Sequence, residues 1–323
     1  MDTTDLAQRV SAGERRALAR AITLVESGRE DHRLQASELL SALPADRQAL
    51  RIGLSGTPGV GKSTFIESFG MMLIAKGLRV AVLAVDPSSA RSGGSILGDK
   101  TRMDLLSRQS AAFIRPSPSQ THLGGVARRT REAVRLCEAA GFDVVLIETV
   151  GVGQSETVVG ELSDLFLLLL APAGGDELQG VKRGIMEMAD VILVNKADGD
   201  LKSTATRTCA DYAGALRLLR KREQDPDGYP CAMTVSALED KGLDVAWERM
   251  QGLIEWRREN GFWESTRAQQ ARYWFTQDVK QRLLAKLQDP KTQKTLAGLS
   301  DQVAAGQVDP SAAAQAFVEK LAR

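Results

Sequence analysis

The segment Gly56-Thr-Pro-Gly-Val-Gly-Lys-Ser63 meets the pattern G-x-x-x-x-G-K-[ST] at every fixed position. These residue types at this spacing suit a polyphosphate. The glycines let backbone N–H groups turn inward around phosphate oxygens, at the positive end of the dipole of a following helix. Lys62 is placed to reach the β- and γ-phosphates, and the Ser63 hydroxyl to hold Mg²⁺. The expected nucleotide contacts here are Gly56, Thr57, Pro58, Gly59, Val60, Gly61, Lys62, Ser63 and Thr64. The setting agrees: 51–55 reads as a short buried strand and Thr64 to Ala75 as a helix.

A second group selects the base. Asn195-Lys-Ala-Asp198 follows an apolar run at 190–194 and matches N-K-x-D. The Asp198 carboxylate can accept from N1–H and the 2-amino group of guanine, and adenine would leave those acceptors unpaired. Lys196 can lie over the purine, and Asn195 can tie the loop together. Ser236-Ala237-Leu238, after the last strand, is placed to turn backbone N–H groups towards the guanine O6.

A third group is acidic. Glu148 ends the strand at 143–148 in Glu148-Thr-Val-Gly151, where many GTPases carry D-x-x-G. Asp86 follows the strand at 79–85, and Asp99 closes the loop Ser92-Gly-Gly-Ser-Ile-Leu-Gly-Asp99. Together with Ser63 these are the expected metal-site residues. Mg²⁺ keeps several waters and takes few protein ligands, so some of the acids act through water. Phosphoryl transfer to water demands positioning and charge stabilisation, and Asp86, Asp99 and Glu148 are expected to place the attacking water. No glutamine or arginine for that role stands out from the residues alone, which fits a slow intrinsic rate and a partner that completes the site.

The elements that must position these groups follow from hydrophobic patterning. Near-continuous apolar runs at 51–55, 79–85, 143–148, 164–170, 190–194 and 231–235 suit parallel strands covered on both faces, separated by helices. This predicts an α/β fold with a mostly parallel sheet, whose ligands bind outside the carboxyl ends of the strands. Residues 1–50 read as helical, punctuated by Gly28 and Pro44. The stretch Glu223–Pro230 reads as a surface loop. Beyond Gly242 the pattern is helical, and Trp247, Ile254, Trp256, Phe262, Trp263, Trp274 and Phe275 are divided between core and a candidate dimer surface. The expected divisions are a helical extension over 1–50, a nucleotide-binding domain over 51–257 and a helical arm over 258–323.

Composition narrows the function classes. Among 323 residues, 42 are Lys or Arg and 41 are Asp or Glu, so net charge gives no argument for nucleic acid or an anionic membrane. The longest apolar run, Leu165–Ala173, is far short of the ~20 residues of a membrane helix. The first residues lack the pattern of a secretory signal, and a cytoplasmic location is expected. Cys137, Cys209 and Cys231 show no C-x-x-C spacing and are expected to be reduced, packed thiols. His122 is given no role.

Taken together, Asp86-Pro-Ser-Ser, Ser92–Met103, Leu123-Gly-Gly-Val126, Glu148-Thr-Val-Gly-Val-Gly-Gln-Ser-Glu156 and Asn195–Asp198 closely resemble the MeaB/ArgK/MMAA family of P-loop GTPases. The likeness spans roughly residues 10–260. It implies a signal-recognition-type (SIMIBI) G domain flanked by helical N- and C-terminal extensions, the latter a dimerisation arm. It further implies GTP/GDP and Mg²⁺ as ligands, a homodimer, and an adenosylcobalamin-dependent methylmalonyl-CoA mutase as client. Hydrolysis would be slow alone, faster with the mutase, and coupled to cofactor loading and protection of that enzyme. Family motifs map onto Lys62, Ser63, Asp86, Asp99, Glu148 and Asp198. The loop Gly174–Lys182 resembles a partner-responsive switch, with Gln179 and Lys182 as candidates for stimulating hydrolysis. A related acyl-CoA mutase as client is an alternative. A metal-delivery GTPase, a transport component and a non-hydrolysing scaffold are less consistent with these motifs.

Overall fold

A computed structural model describes residues 2–85, 103–116, 123–149, 155–172, 183–287 and 289–321. Seven parallel strands form one sheet: β1 (Leu50–Ser55), β2 (Val80–Val85), β3 (Ala112–Arg115), β4 (Val144–Thr149), β5 (Leu165–Leu170), β6 (Val191–Val194) and β7 (Cys231–Thr234). Their spatial order is β3-β2-β4-β1-β5-β6-β7, and every ladder is parallel. The chain leaves β1 towards β2 on one side and returns across β1 from β4 to β5. The crevice for a ligand in such a sheet lies outside the carboxyl ends at that reversal.

The six expected strands are present with ends shifted by a residue or so. The seventh, β3, was not expected. It is four residues long and pairs with β2 alone, too short an apolar run to separate from its surroundings.

Burial explains the strand composition. Ile52, Leu54, Val80, Val82, Val144, Leu146, Leu167, Leu169 and Leu193 pack in one core with Phe65, Phe69 and Leu73 of the helix Lys62–Ala75. Phe65 stacks on Phe69 at 5.2 Å between ring centroids, and Trp247 of the helix Leu243–Glu259 meets Phe69 edge-on at 5.9 Å. The helix that opens at the phosphate loop is thus held by aromatic packing that it shares with Leu243–Glu259.

Carboxylates fix the amino ends of the strands. Asp143 accepts from the Arg79 N–H at 2.7 Å, Asp164 from Arg51 at 2.8 Å and Asp190 from Phe166 at 2.7 Å. Two of them are held by arginines, the buried Arg257 and the partly buried Arg267. Arg257 donates to Asp190 at 2.6 Å and to Asp225 at 2.7 Å, and Arg267 donates to both oxygens of Asp164. Asp225 is buried, so the stretch Glu223–Pro230 is not a purely solvated loop. Its acid anchors Arg222 and Arg257.

Residues 1–50 form three helices, Thr3–Ser11, Arg15–Glu26 and Glu30–Ser41. The first starts at Asp2, whose side chain accepts from the Thr4 and Asp5 N–H groups. The chain divides into two compact units, Met1–Gln270 and Ala271–Arg323. Within the second, the helices Pro290–Ala304 and Pro310–Leu321 are present, and Phe317 is buried while Phe275, Leu283 and Leu284 are exposed. No helix among the described residues is long and apolar enough to cross a membrane.

Candidate nucleotide-binding site

The loop 56–61 leaves the carboxyl end of β1, and its glycines are needed for two different reasons. A Cβ on Gly56 would lie 2.3 Å from the Leu169 carbonyl oxygen of β5, so the close approach of two backbones excludes a side chain. Gly59 and Gly61 have φ of 87° and 89°, the left-handed region that L side chains rarely adopt. The helix then begins at Lys62, with the Phe65 N–H bonded to the Gly61 carbonyl at 2.9 Å.

Lys62 is half-buried. Its ammonium donates to the carbonyl oxygens of Gly56, at 2.8 Å, and Thr57, at 3.4 Å, and so lies across the loop. Burial lowers its pKa, and the negative charge of Glu148 acts in the opposite direction. Glu148 is itself buried on β4, level with Leu54 of β1 and Ala84 of β2. Next to it the Thr149 hydroxyl donates to the Ser55 hydroxyl at 3.1 Å. Ser63 is half-buried on the first helical turn and Thr64 is exposed. Hydroxyl and carboxylate oxygens are the hard donors that Mg²⁺ takes, so Ser63 and Glu148 are chemically fit to hold it, directly or through water.

The two base-side loops are tied to the phosphate loop by hydrogen bonds. Asn195 is buried, donates to the Val60 carbonyl at 3.0 Å and accepts from the Ala237 N–H at 3.0 Å. The Lys196 ammonium reaches the Gly59 carbonyl at 2.7 Å, from a backbone with φ of 59°. Holding a lysine in that region costs of order 1–3 kcal/mol. The Ala197 N–H bonds to the Val235 carbonyl at 3.1 Å. Asp198 accepts from the Ser236 hydroxyl, which accepts in turn from the Glu239 N–H at 3.1 Å. Leu238 is exposed.

The structure therefore brings Gly56–Ser63, Glu148, Asn195, Lys196, Asp198, Ser236 and Ala237 to one edge of the sheet. Asp86, Asp99, Gln179 and Lys182 lie outside the described residues. One contributor was missed by sequence reasoning. Ser68, on the helix after the loop, donates to the Ala237 carbonyl at 2.6 Å, so the base loop is held at the same residue whose N–H donates to Asn195. A lone helical serine carries no motif; only the tertiary contact reveals it. Geometrically, the site is a glycine loop with a lysine across it, joined by hydrogen bonds to a carboxylate that accepts from a serine hydroxyl.

Comparison with known proteins gives a consistent picture. Residues 18–292 match the family described as methylmalonyl Co-A mutase-associated GTPase MeaB. The chain is 49% identical to the GTPase ArgK of Escherichia coli over 86% of its own length and 83% of that protein's. It is 45% identical to the methylmalonic aciduria type A homolog, mitochondrial, of Mus musculus, over 95% of this chain and 76% of that one. Among solved structures, the crystal structure of an LAO/AO transport system kinase superposes with a TM-score of 0.75 at 36% identity, covering 99% of this chain and 98% of that one.

Proposed function

This chain belongs to the methylmalonyl-CoA mutase-associated GTPase family, and from that premise we propose that it binds and hydrolyses GTP as the G-protein chaperone of an adenosylcobalamin-dependent methylmalonyl-CoA mutase. One observation carries the guanine reading: Asn195 bridges the phosphate loop at Val60 to the base loop at Ala237, with Asp198 held by Ser236 beside it. A carboxylate so fixed discriminates guanine by pairing its two donors, whereas adenine would leave the acid unpaired.

The chemistry asked of the chain is modest. Amides of Gly59–Ser63 and the Lys62 ammonium stabilise charge gathering on the β- and γ-phosphates. Displacing Lys62 from the Gly56 and Thr57 carbonyls towards phosphate exchanges neutral acceptors for charged ones. Glu148, buried beside that lysine, orients water or a hydrated Mg²⁺, which supplies further charge neutralisation when bound. Asp86 and Asp99 are proposed to share that role, Gln179 and Lys182 to respond to the client, and 258–323 to serve as a homodimerisation arm.

The nucleotide reading is tested by following phosphate release from GTP and from ATP by the purified full chain. Turnover of GTP that is strongly preferred over ATP and lost in Lys62→Ala supports it. Equal use of the two nucleotides removes the guanine assignment.

A further inference from the structure

A cavity lies on the same edge of the sheet but away from the phosphate loop, where the helix Arg15–Glu26 meets the ends of β2 and β3 and the helix Leu123–Ala139. It measures about 30 Å³, and its walls include Leu83, Ala84, Glu26, Arg115, Arg129 and Thr130. On that measure one water needs about 10–15 Å³, so the space takes about two oxygens. β2 stands two places from β1 in the sheet. At roughly 4.8 Å per strand, that sets the cavity about 10 Å to one side of the phosphate loop.

Among the described residues, arginines outnumber acids around it: Arg33, Arg115, Arg128 and Arg129 gather around Glu26 and Glu132. Glu132 is gripped by both terminal nitrogens of Arg33 at 2.9 Å, with Arg128 3.8 Å from it. Glu26 is gripped by Arg115, which also donates to the Thr23 hydroxyl at 3.2 Å. The Thr130 hydroxyl is turned to the Val126 carbonyl at 2.9 Å. Arg129 has no hydrogen-bond or ion-pair partner among the described residues, and its Nε is buried and unpaired. Burial lowers its pKa, Glu26 and Glu132 act in the opposite direction, and a guanidinium stays charged in any protein environment. Among the described residues Glu26 and Glu132 act on this cation only through space, so its N–H donors remain open to an anion in the small cavity walled partly by Leu83 and Ala84.

We infer that this cavity is a binding site for a small oxyanion, the paired oxygens of a carboxylate or a phosphate group, received by the Arg129 guanidinium with Arg115 alongside. A guanidinium presents parallel N–H donors that match two oxygens on one atom, which neither a neutral ligand nor a single-atom anion exploits. The site is separate from the phosphate loop and does not rest on the reading of the family's client.

The test uses the full chain saturated with GDP and Mg²⁺, so that the phosphate loop is filled, with titration calorimetry of sodium phosphate and, separately, sodium formate at constant ionic strength. The expected result is saturable binding of at least one of these anions, weakened about tenfold or more in Arg129→Gln and unchanged in Arg220→Gln, an exposed arginine elsewhere. Saturation by phosphate alone identifies a phosphate group as the ligand; saturation by formate alone identifies a carboxylate. Should Arg129→Gln fail to fold, Arg129→Lys keeps the charge but loses the fork, and weaker binding than wild type is expected there too. No saturation by either anion, or equal binding by wild type and the Arg129 variants, overturns the inference.

Discussion

Asp198→Asn is the most informative single change at the base site. The Ser236 hydroxyl accepts from the Glu239 N–H, so its own proton points at Asp198. An amide at position 198 must turn its oxygen to Ser236, which directs its NH₂ outward. Guanine then meets a donor with its own 2-amino donor, while the 2-oxo group of xanthine finds a partner. The change removes one hydrogen bond to a charged acceptor, about 1.5–3 kcal/mol, and leaves opposed donors desolvated at a cost of about 1–3 kcal/mol. The sum, roughly 3–6 kcal/mol, is about two to four decades of affinity. Titration of the purified variant with GDP and with xanthosine diphosphate reads this directly. A large loss for GDP and a gain for the xanthine nucleotide are expected. GDP affinity within threefold of wild type, with no new binding of xanthosine diphosphate, would refute it.

Other consequences are open to simpler assays. Lys62→Ala should lower GTP turnover by roughly a hundredfold or more, the scale on which one preorganised donor acts; near wild-type turnover would place the phosphate elsewhere. Arg257→Met strips a buried cation from Asp190 and Asp225 and should cost about 3–5 kcal/mol, read as a fall of roughly 6–20 °C in thermal midpoint at about 2–4 °C per kcal/mol; an unchanged midpoint would show the network to be dispensable. Burial pushes the Cys137 thiol far above its ordinary pKa, so it should resist a thiol reagent until the protein unfolds, while Cys209 and Cys231, both part-exposed, react first. Rapid titration of all three thiols in the native protein would contradict the packing around Cys137.

Much of this site was legible because its chemistry is local in sequence. The phosphate loop needs consecutive residues to wrap one ligand, and Asn195–Asp198 needs one turn after one strand. The strands were legible for a similar reason: parallel strands buried on both faces are continuous apolar runs, as Leu165–Leu170 is. What escaped depends on distant partners. β3 is a four-residue edge strand whose identity comes from pairing with β2. Arg257 and Arg267 sit in helices where charge ordinarily marks a solvated face, yet they are spent on Asp190, Asp225 and Asp164. Ser68 acts only because the fold carries Ala237 beside it.

Hydrolysis at this site is proposed to answer to a client enzyme. Its most direct test is GTP turnover by the purified chain, with and without a purified adenosylcobalamin-dependent methylmalonyl-CoA mutase. The expected result is slow turnover alone and a large acceleration by the mutase. Turnover that is equally fast with and without that enzyme would contradict it.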